Sequence, residues 1–355
     1  MSLSLFSLLL ASAPAHAGED VLPAPNPMLL VQTWATLIDQ DQTVIADPGG
    51  YGDPEDDPGF KLRRVRMGFE GKSDHIKYGV TAGMSSAYDV VAENQGHDHH
   101  LDLVDAYGGF APAEGVWLVA GVQKVPVSRE ALIASGNLTF TERAVSTEWL
   151  APGRDLGAVF DGRWKFLRFR VGAFNGSGDL QGDDNNGKLL AVRAEANIGS
   201  AATYKTFGVV DELTIGVGVD GWRNDQIAVQ SQGFGADLIV RFEGLALLAE
   251  ARMNNAKPRE DLVVTPGVFA ETQRQGVMTQ LGYTVGNFEP AVRFSTLDDD
   301  TNIEDSGDVS ELLGGITWHS DKDQVRAGAG YVVRNETGGN VVPNDTLRAW
   351  LQFKL

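Results

Sequence analysis

The sequence predicts an all-β fold: a closed antiparallel transmembrane β-barrel of about sixteen strands with an inward-folded third loop. From residue 30 onward, segments of about ten residues alternate apolar and polar side chains, and Gly, Asp, Asn and Pro separate them. The connections between segments alternate between short turns and long polar loops, as in outer-membrane barrels. No stretch reaches the 18 apolar residues that indicate a transmembrane helix.

The N-terminus predicts an export signal over residues 1–17. An uncharged run rich in Leu, Ser and Phe leads into Ala15-His16-Ala17, a small-x-small cleavage pattern. Residues 18–355 then form a single outer-membrane barrel domain, and the alternative for the first residues is a buried N-terminal helix. Because this exported chain has no cysteine, closure of the sheet is the expected source of its stability.

Each segment has two faces of opposite character. Leu167, Phe169 and Val171 share one face, whereas Arg168 and Arg170 share the other. The segments are centred near residues 33, 65, 80, 105, 120, 158, 170, 192, 217, 237, 250, 278, 293, 316, 329 and 351.

Aromatic residues on the apolar face gather beside the short turns. Such a belt is expected where side chains meet lipid headgroups. The alternative is a set of core aromatics in a large soluble sandwich. The belt residues are Phe69, Phe110, Phe242, Tyr283, Phe288, Trp318 and Phe353.

The formal net charge of −19 argues against nucleic acid as a partner. Most acidic residues fall in the long loops, whereas the polar face of the strands is rich in arginine. A basic lining favours anions, but pairing with inward acids would leave a nearly neutral wall, and both interpretations stay open. The predicted pore-lining residues are Arg64, Arg66, Arg168, Arg170, Arg193, Arg241, Arg252, Arg274, Arg293, Arg326 and Arg348.

The longest connection spans residues 126–154 and carries balanced charges. A barrel of this size leaves a wide aqueous channel, so a loop folded inward would set its bore. The alternative is that this loop stays outside. If it folds inward, the predicted constriction residues are Lys124, Arg129, Glu130, Glu142, Arg143 and Arg154.

Several motifs resemble the phosphate-selective porin O and P family. The most specific are GVQKVPVSREAL (residues 121–132), TFTER (139–143) and GRDLG (153–157). The segments FKLRRVR (60–66) and DTLRAWLQF (345–353) are similar to it as well. Phosphate-selective members use lysine clusters along the pathway, whereas this loop region offers Lys124 alone.

The resemblance implies a trimeric porin of the Gram-negative outer membrane. Small hydrophilic solutes or ions, with phosphate-like anions among the candidates, would diffuse through its lumen. Outer-membrane lipid and lipopolysaccharide would be its surroundings. The alternatives are a plugged structural or adhesin barrel and, less favoured, a secreted soluble β protein.

Other motifs point weakly to ligands. His97, Asp98, His99 and His100 could hold a divalent metal, but a solvated turn is favoured over a metal site. The acidic loops, such as residues 298–300, offer at most weak divalent cation binding. We therefore expect no cofactor. The sequence has no G-x-S-x-G motif, so no enzyme is expected either.

Overall fold

Sixteen strands form the wall of the protein. A computed structural model describes residues 22–37, 59–85, 101–178, 186–199, 202–259, 271–304, 307–338 and 345–355. The predicted signal at residues 1–17 lies outside them. The strands are β1 Asn26–Thr36, β2 Gly59–Lys72, β3 Ile76–Ser85, β4 Asp102–Ala113, β5 Val116–Lys124, β6 Arg154–Trp164, β7 Leu167–Phe174, β8 Leu189–Ile198, β9 Val210–Asp225, β10 Val229–Glu243, β11 Leu245–Pro258, β12 Thr272–Tyr283, β13 Phe288–Asp298, β14 Val309–His319, β15 Val325–Glu336 and β16 Thr346–Lys354.

The strands form one closed antiparallel barrel in which each strand pairs with its neighbours in the chain. β1 closes the ring on β16, in a register that runs from Leu30 opposite Lys354 to Thr36 opposite Arg348. Every predicted segment centre falls inside one of the strands. The predicted closed antiparallel barrel and its strand number are therefore confirmed.

The outer surface of the barrel is apolar. Side chains on the face that the alternation assigns outward are exposed, as Leu167, Phe169 and Val171 illustrate, whereas Arg170 between them is buried. A continuous apolar exterior of this kind is what lipid contact requires. All seven residues of the predicted aromatic belt are exposed, from Trp318 at 37% to Phe110 at 53%.

In the part of the chain that the structure describes, helices are few and short. α1 spans Arg129–Leu132, α2 spans Val145–Leu150, and 3₁₀ turns occupy Ser135–Asn137 and Ala202–Tyr204. Within the described residues, no helix has the length and apolar content needed to cross a membrane. Both α-helices lie between β5 and β6, so that connection has its own internal structure.

Candidate functional site

The third loop, residues 125–153, lies against the inner face of the wall. Its apolar side chains pack on inward-facing apolar side chains of the strands. Because burial of a large apolar side chain stabilises by about 1.5–3 kcal/mol, these contacts hold the loop against these strands. The contacts join Ile133, Leu138 and Ala144 to Ile239, Leu248 and Met278; Val145 and Leu150 to Leu297 and Val309; and Phe140 to Trp34 and Trp350.

Helix α1 is fixed to acidic side chains of β9, β10 and β11. The Ser128 hydroxyl donates to Glu250 Oε2 at 2.7 Å, and the Ser128 backbone N–H donates to Asp220 at 2.9 Å. Arg129 Nε lies 2.6 Å from Asp237 Oδ1, and both side chains are buried. Arg129, predicted as a constriction residue, thus faces the wall and anchors the loop.

Arginines of the wall neutralise the same acids. Arg193 lies within 2.8 Å of carboxylate oxygens of Glu195, Asp220 and Asp237, and Arg252 lies 2.7 Å from Asp220. Charged side chains that are buried away from water must be paired with opposite charges. Here the number of arginines equals the number of carboxylates. The paired cluster, as we call it, contains Arg129, Arg170, Arg193 and Arg252 with Glu195, Asp220, Asp237 and Glu250.

Glu142 fixes the other part of the loop to β2. Arg63 donates to both oxygens of Glu142, at 3.0 and 2.9 Å, and Arg64 lies 3.5 Å away. Burial raises the pKa of Glu142, but the charges of Arg63 and Arg64 outweigh it and hold that pKa at about 2. The β1–β2 register shifts at this point, so that Arg63 is an extra residue in β2. This bulge turns Arg63 inward beside Arg64, which simple alternation does not predict.

Glu130 and Arg143 hold the loop to itself. The Glu130 carboxylate accepts the backbone N–H of Ala144 at 3.1 Å, and Arg143 donates to the carbonyl oxygens of Glu130 and Ile133. Burial raises the pKa of the Glu130 carboxyl, although Arg293 at 3.7 Å acts against it. The two residues, both predicted for the constriction, therefore brace the fold of the loop.

The β8–β9 turn, residues 202–209, also packs inside the barrel. The Thr206 hydroxyl accepts the backbone N–H of Thr139 at 2.7 Å, and the Tyr204 hydroxyl contacts Arg170 and Glu195. Phe207 is buried, with the Arg326 guanidinium 3.9 Å from its ring centroid.

A cavity of about 360 Å³ separates the third loop from strands β1–β7 and the end of β16. We call it the basic gap. Seven basic side chains line it, whereas only two acidic side chains of the described residues do so. They are Arg66, Lys77, Lys124, Arg154, Arg168, Arg170 and Lys354, with Asp105 and Asp161.

Only some of these basic side chains are paired with a carboxylate of the described residues. Arg154 binds both oxygens of Asp105, at 2.9 and 3.1 Å, and Arg168 binds both oxygens of Asp161. Arg66 and Lys77 have no carboxylate partner in the part of the chain that the structure describes. Arg66 contacts the hydroxyl of Ser135, and Lys77 lies 4.7 Å from the ring centroid of Trp117.

Two predicted constriction residues occupy the rim of the third loop. Lys124 ends β5 and Arg154 begins β6, directly opposite each other. Lys124 Nζ donates to the carbonyl oxygens of residues 131–133, where α1 ends. Cations are favourable at that end of a helix. Both residues line the basic gap, unlike Arg129, Glu130, Glu142 and Arg143.

The predicted pore-lining arginines all lie on the inner side but divide into groups. Arg66, Arg168 and Arg170 line the basic gap, whereas Arg193 and Arg252 belong to the paired cluster, of which Arg170 is also a member. The others bind mainly oxygens of loops and turns or stack on rings. Arg64 contacts the side chains of Gln32 and Glu142, and Arg348 stacks on the ring of Trp34. The other four donate to backbone carbonyl oxygens: Arg241 to Phe207 and Gly208, Arg274 to Asp299, Arg293 to Glu142, and Arg326 to Leu138 and Thr139.

Metal binding finds no support in the described part of the chain, where no group of three or more His, Asp or Glu residues could hold an ion. Asp300 accepts hydrogen bonds from Asn302. The His97–His100 motif and most of the first acidic loop lie outside the described residues.

Comparison with known proteins supports the family resemblance. The family model described as phosphate-selective porin O and P matches residues 40–212. The resemblance that the sequence motifs carry is thereby confirmed over nearly half of the chain. No curated protein matches the chain.

Solved outer-membrane proteins share the fold. The trimer form of OmpT from Vibrio cholerae aligns with a TM-score of 0.62 at 9% identity, covering 94% of this chain and 100% of that one. An anion-selective porin from Comamonas acidovorans gives 0.58 at 10% identity, covering 94% and 99%. The channel DcaP of Acinetobacter baumannii gives 0.58 at 14% identity, covering 93% and 97%. At such identities the likeness concerns the fold alone.

Proposed function

We propose that this chain, which resembles the phosphate-selective porin O and P family, is an outer-membrane porin that passes small hydrophilic solutes by diffusion. The family match, the closed barrel of sixteen strands and its apolar exterior support this proposal. A sixteen-stranded barrel encloses an aqueous channel unless something narrows it. The third loop is the narrowing element in our proposal.

The pathway runs through the basic gap, and anions are preferred there. The observation that carries this step is that four of the seven basic side chains have no carboxylate partner among the described residues; they are Arg66, Lys77, Lys124 and Lys354. Fixed positive charge between low-dielectric walls focuses a potential that concentrates anions and excludes cations. Arginine suits the role because it stays charged and offers a planar fork of donors.

The proposed roles of the predicted residues divide accordingly. Lys124 and Arg154 act at the constriction directly, together with Arg66 and Lys77. Arg129, Glu130, Glu142 and Arg143 act through the position of the loop that they brace. Since the lining combines lysines with arginines, it suits small anions in general, with phosphate among them.

The proposed assembly is a homotrimer in contact with outer-membrane lipid and lipopolysaccharide. Its support is the family resemblance, together with the trimer form of one structural neighbour, OmpT from Vibrio cholerae. Cross-linking of the detergent-extracted protein would give a three-chain band if the assembly is correct. A band no larger than one chain would contradict it.

Single-channel recording in planar bilayers tests the function. We expect discrete current steps in KCl from the wild-type protein, because in our proposal ions pass the third loop through the basic gap. A plugged barrel would instead give no current steps. The observation that favours this alternative is the packing of the third loop and of the β8–β9 turn on the inner side of the wall. A correctly folded protein without conductance would therefore replace the porin proposal with that alternative.

A further inference from the structure

The β8–β9 turn, residues 202–209, crosses the short-turn end of the lumen, and we call it the strap. Gly208 donates its backbone N–H to the Thr284 hydroxyl in the β12–β13 turn at 3.0 Å. Lys205 Nζ lies 2.6 Å from Asp323 Oδ2 in the β14–β15 turn. Neither of these turns joins strands that neighbour β8 or β9 around the barrel. The strap therefore spans the lumen from one side of the wall to another.

His319, at the end of β14, lies where the strap meets the wall. Its ring centroid is 4.9 Å from that of Phe207 in the strap, and both side chains are buried. His319 Nε2 lies 2.9 Å from Glu289 Oε2, and His319 Nδ1 lies 3.2 Å from Asp323 Oδ1. Both ring nitrogens therefore face carboxylate oxygens, one on β13 and one on the β14–β15 turn.

The two carboxylates connect His319 to both elements that fold into the lumen. Asp323 uses its other oxygen to bind Lys205 of the strap. Glu289 uses its other oxygen to accept the hydroxyl of Thr139, in the third loop, at 3.0 Å. A change in charge at His319 is thus transmitted to the strap through one carboxylate and to the third loop through the other.

The protonation state of the imidazole decides whether both contacts are favourable. A protonated ring donates from both nitrogens, so it can bind both carboxylates at once. A neutral ring carries one proton, so its other nitrogen presents a lone pair to a carboxylate oxygen. One of the two contacts then becomes repulsive. The contacts are therefore complete at low pH, and one of them is lost as the pH rises through the titration of His319.

Several other charged groups surround His319 and the strap residues that pack on it. They are Glu289 on β13, Asp321 and Asp323 in the β14–β15 turn, Arg326 on β15, Arg241 on β10 and Lys205 in the strap. Carboxyl groups ordinarily titrate at about pH 4 and lysine and arginine above about pH 10, whereas histidine titrates between about pH 5 and 8. A change from pH 5.5 to pH 8 therefore acts on this group of residues chiefly through the imidazole.

We propose that His319 is a pH-sensitive latch for the strap: its protonated ring holds the strap across the short-turn end of the lumen, and its neutral ring releases it. A held strap, with Tyr204 and Phe207 packed inside the barrel, leaves the basic gap as the route for solutes. A released strap widens the short-turn end of the lumen and raises the current. This inference rests on the porin proposal for its effect on the current, whereas the latch itself does not require transport.

Amide hydrogen exchange of the detergent-solubilised barrel tests the latch without requiring conductance. Thr206 of the held strap donates its backbone N–H to the carbonyl oxygen of Asn137 at 3.1 Å, and Gly208 donates to Thr284. After correction for intrinsic exchange rates, we expect protection of residues 204–208 to be about tenfold stronger at pH 5.5 than at pH 8. The reason is that the neutral ring loses one charge-assisted hydrogen bond.

Two substitutions of His319 bracket the wild type. His319→Gln does not titrate and carries no charge, so the strap should be weakly protected at both pH values. His319→Lys stays charged, so the strap should be strongly protected at both. Lys205→Ala is a second route to a released strap, and it leaves the wall intact because the Lys205 side chain is partly exposed. His75→Gln, at an exposed histidine of the β2–β3 turn, is the matched control and should keep the wild-type response to pH.

Single-channel current in KCl is the second readout. Conductance of the wild-type protein should rise from pH 5.5 to pH 8. It should be constant and high in His319→Gln, constant and low in His319→Lys, and wild-type in His75→Gln. Gel mobility before and after heating shows which variants are folded barrels.

Several outcomes would overturn the latch. Equal protection of the strap at the two pH values in the wild type would do so, as would a response to pH that persists in both His319 variants. A change in protection without a change in conductance would mean that the strap does not border the route. Strap protection that follows His319 in a protein without any current would keep the latch and remove the porin proposal, whereas a current with no response of the strap to pH would do the reverse.

Discussion

Arginines stand at alternate, inward positions on both sides of the lumen, yet the two sides differ in net charge. On β8–β11, Arg193 stands opposite Asp220 across β8–β9, and Asp237 stands opposite Glu250 across β10–β11. The acids and arginines of that side neutralise one another and bind the third loop. On the side of β2–β7, Arg66 and Lys77 face open space instead. The number of inward arginines therefore does not give the charge of a pore, because the acids across neighbouring strands decide it.

Removing a charge from the paired side should have the largest effect. Arg129→Ala leaves Asp237 with one partner fewer inside the wall, and breaking a buried pair of this kind costs about 3–5 kcal/mol. We expect a lower midpoint in denaturant unfolding and a higher, noisier single-channel current, because the third loop loses its anchor. Arg66→Ala in the basic gap is the matched control. It should change stability by less than about 1 kcal/mol, since its side chain is only partly buried and has no acidic partner among the described residues.

Arg143→Ala should give a smaller effect of the same kind. It removes hydrogen bonds to the carbonyls of Glu130 and Ile133, each worth about 1 kcal/mol, and leaves no buried charge without its partner. Conductance should change without unfolding of the barrel. If neither Arg129→Ala nor Arg143→Ala alters the current, the third loop does not set the bore.

A third effect appears only at low pH. The pKa of Glu142 lies at about 2, below its ordinary value of 4.5, because Arg63 and Arg64 overcome the effect of burial. A carboxyl group with a lowered pKa stabilises fully above its ordinary value, and this stabilisation is lost as the pH falls through about 2. Glu142→Gln should therefore flatten the loss of stability between pH 5 and pH 2, as measured by the temperature at which the gel mobility of the barrel shifts. An identical pH profile in the two proteins would remove Glu142 from this role.

Alternation in the sequence was sufficient to predict the wall. It places every strand, the outward aromatic belt and the inward arginines, because a period of two and the lipid–water contrast act on each strand separately. It does not predict which acids face which arginines, since that depends on the register between strands. Arg63 was missed because a bulge in β2 breaks the period locally.

The sequence also indicates that something packs on the inner wall, although the alternation of apolar and polar residues does not show it. Residues 238–240 and 245–249 are apolar on both faces, where a water-filled lumen would favour polar inward positions. Ile239, Ala246 and Leu248 are the inward members, and Ile239 and Leu248 contact the loop. The inward β8–β9 turn was missed for a related reason, because Tyr204 and Phe207 make long-range contacts that a local pattern does not specify.

Reversal potential in a KCl gradient tests the anion preference of the basic gap most directly. We expect the reversal potential of the wild-type channel to have the sign that chloride permeation produces. In Arg66→Glu/Lys77→Glu, it should shift toward the reversal potential that potassium permeation produces. Lys322→Glu, on the exposed β14–β15 turn, makes the same kind of charge change away from the gap and should leave the potential unchanged. A wild-type channel selective for potassium, or one indifferent to the double substitution, would contradict the account.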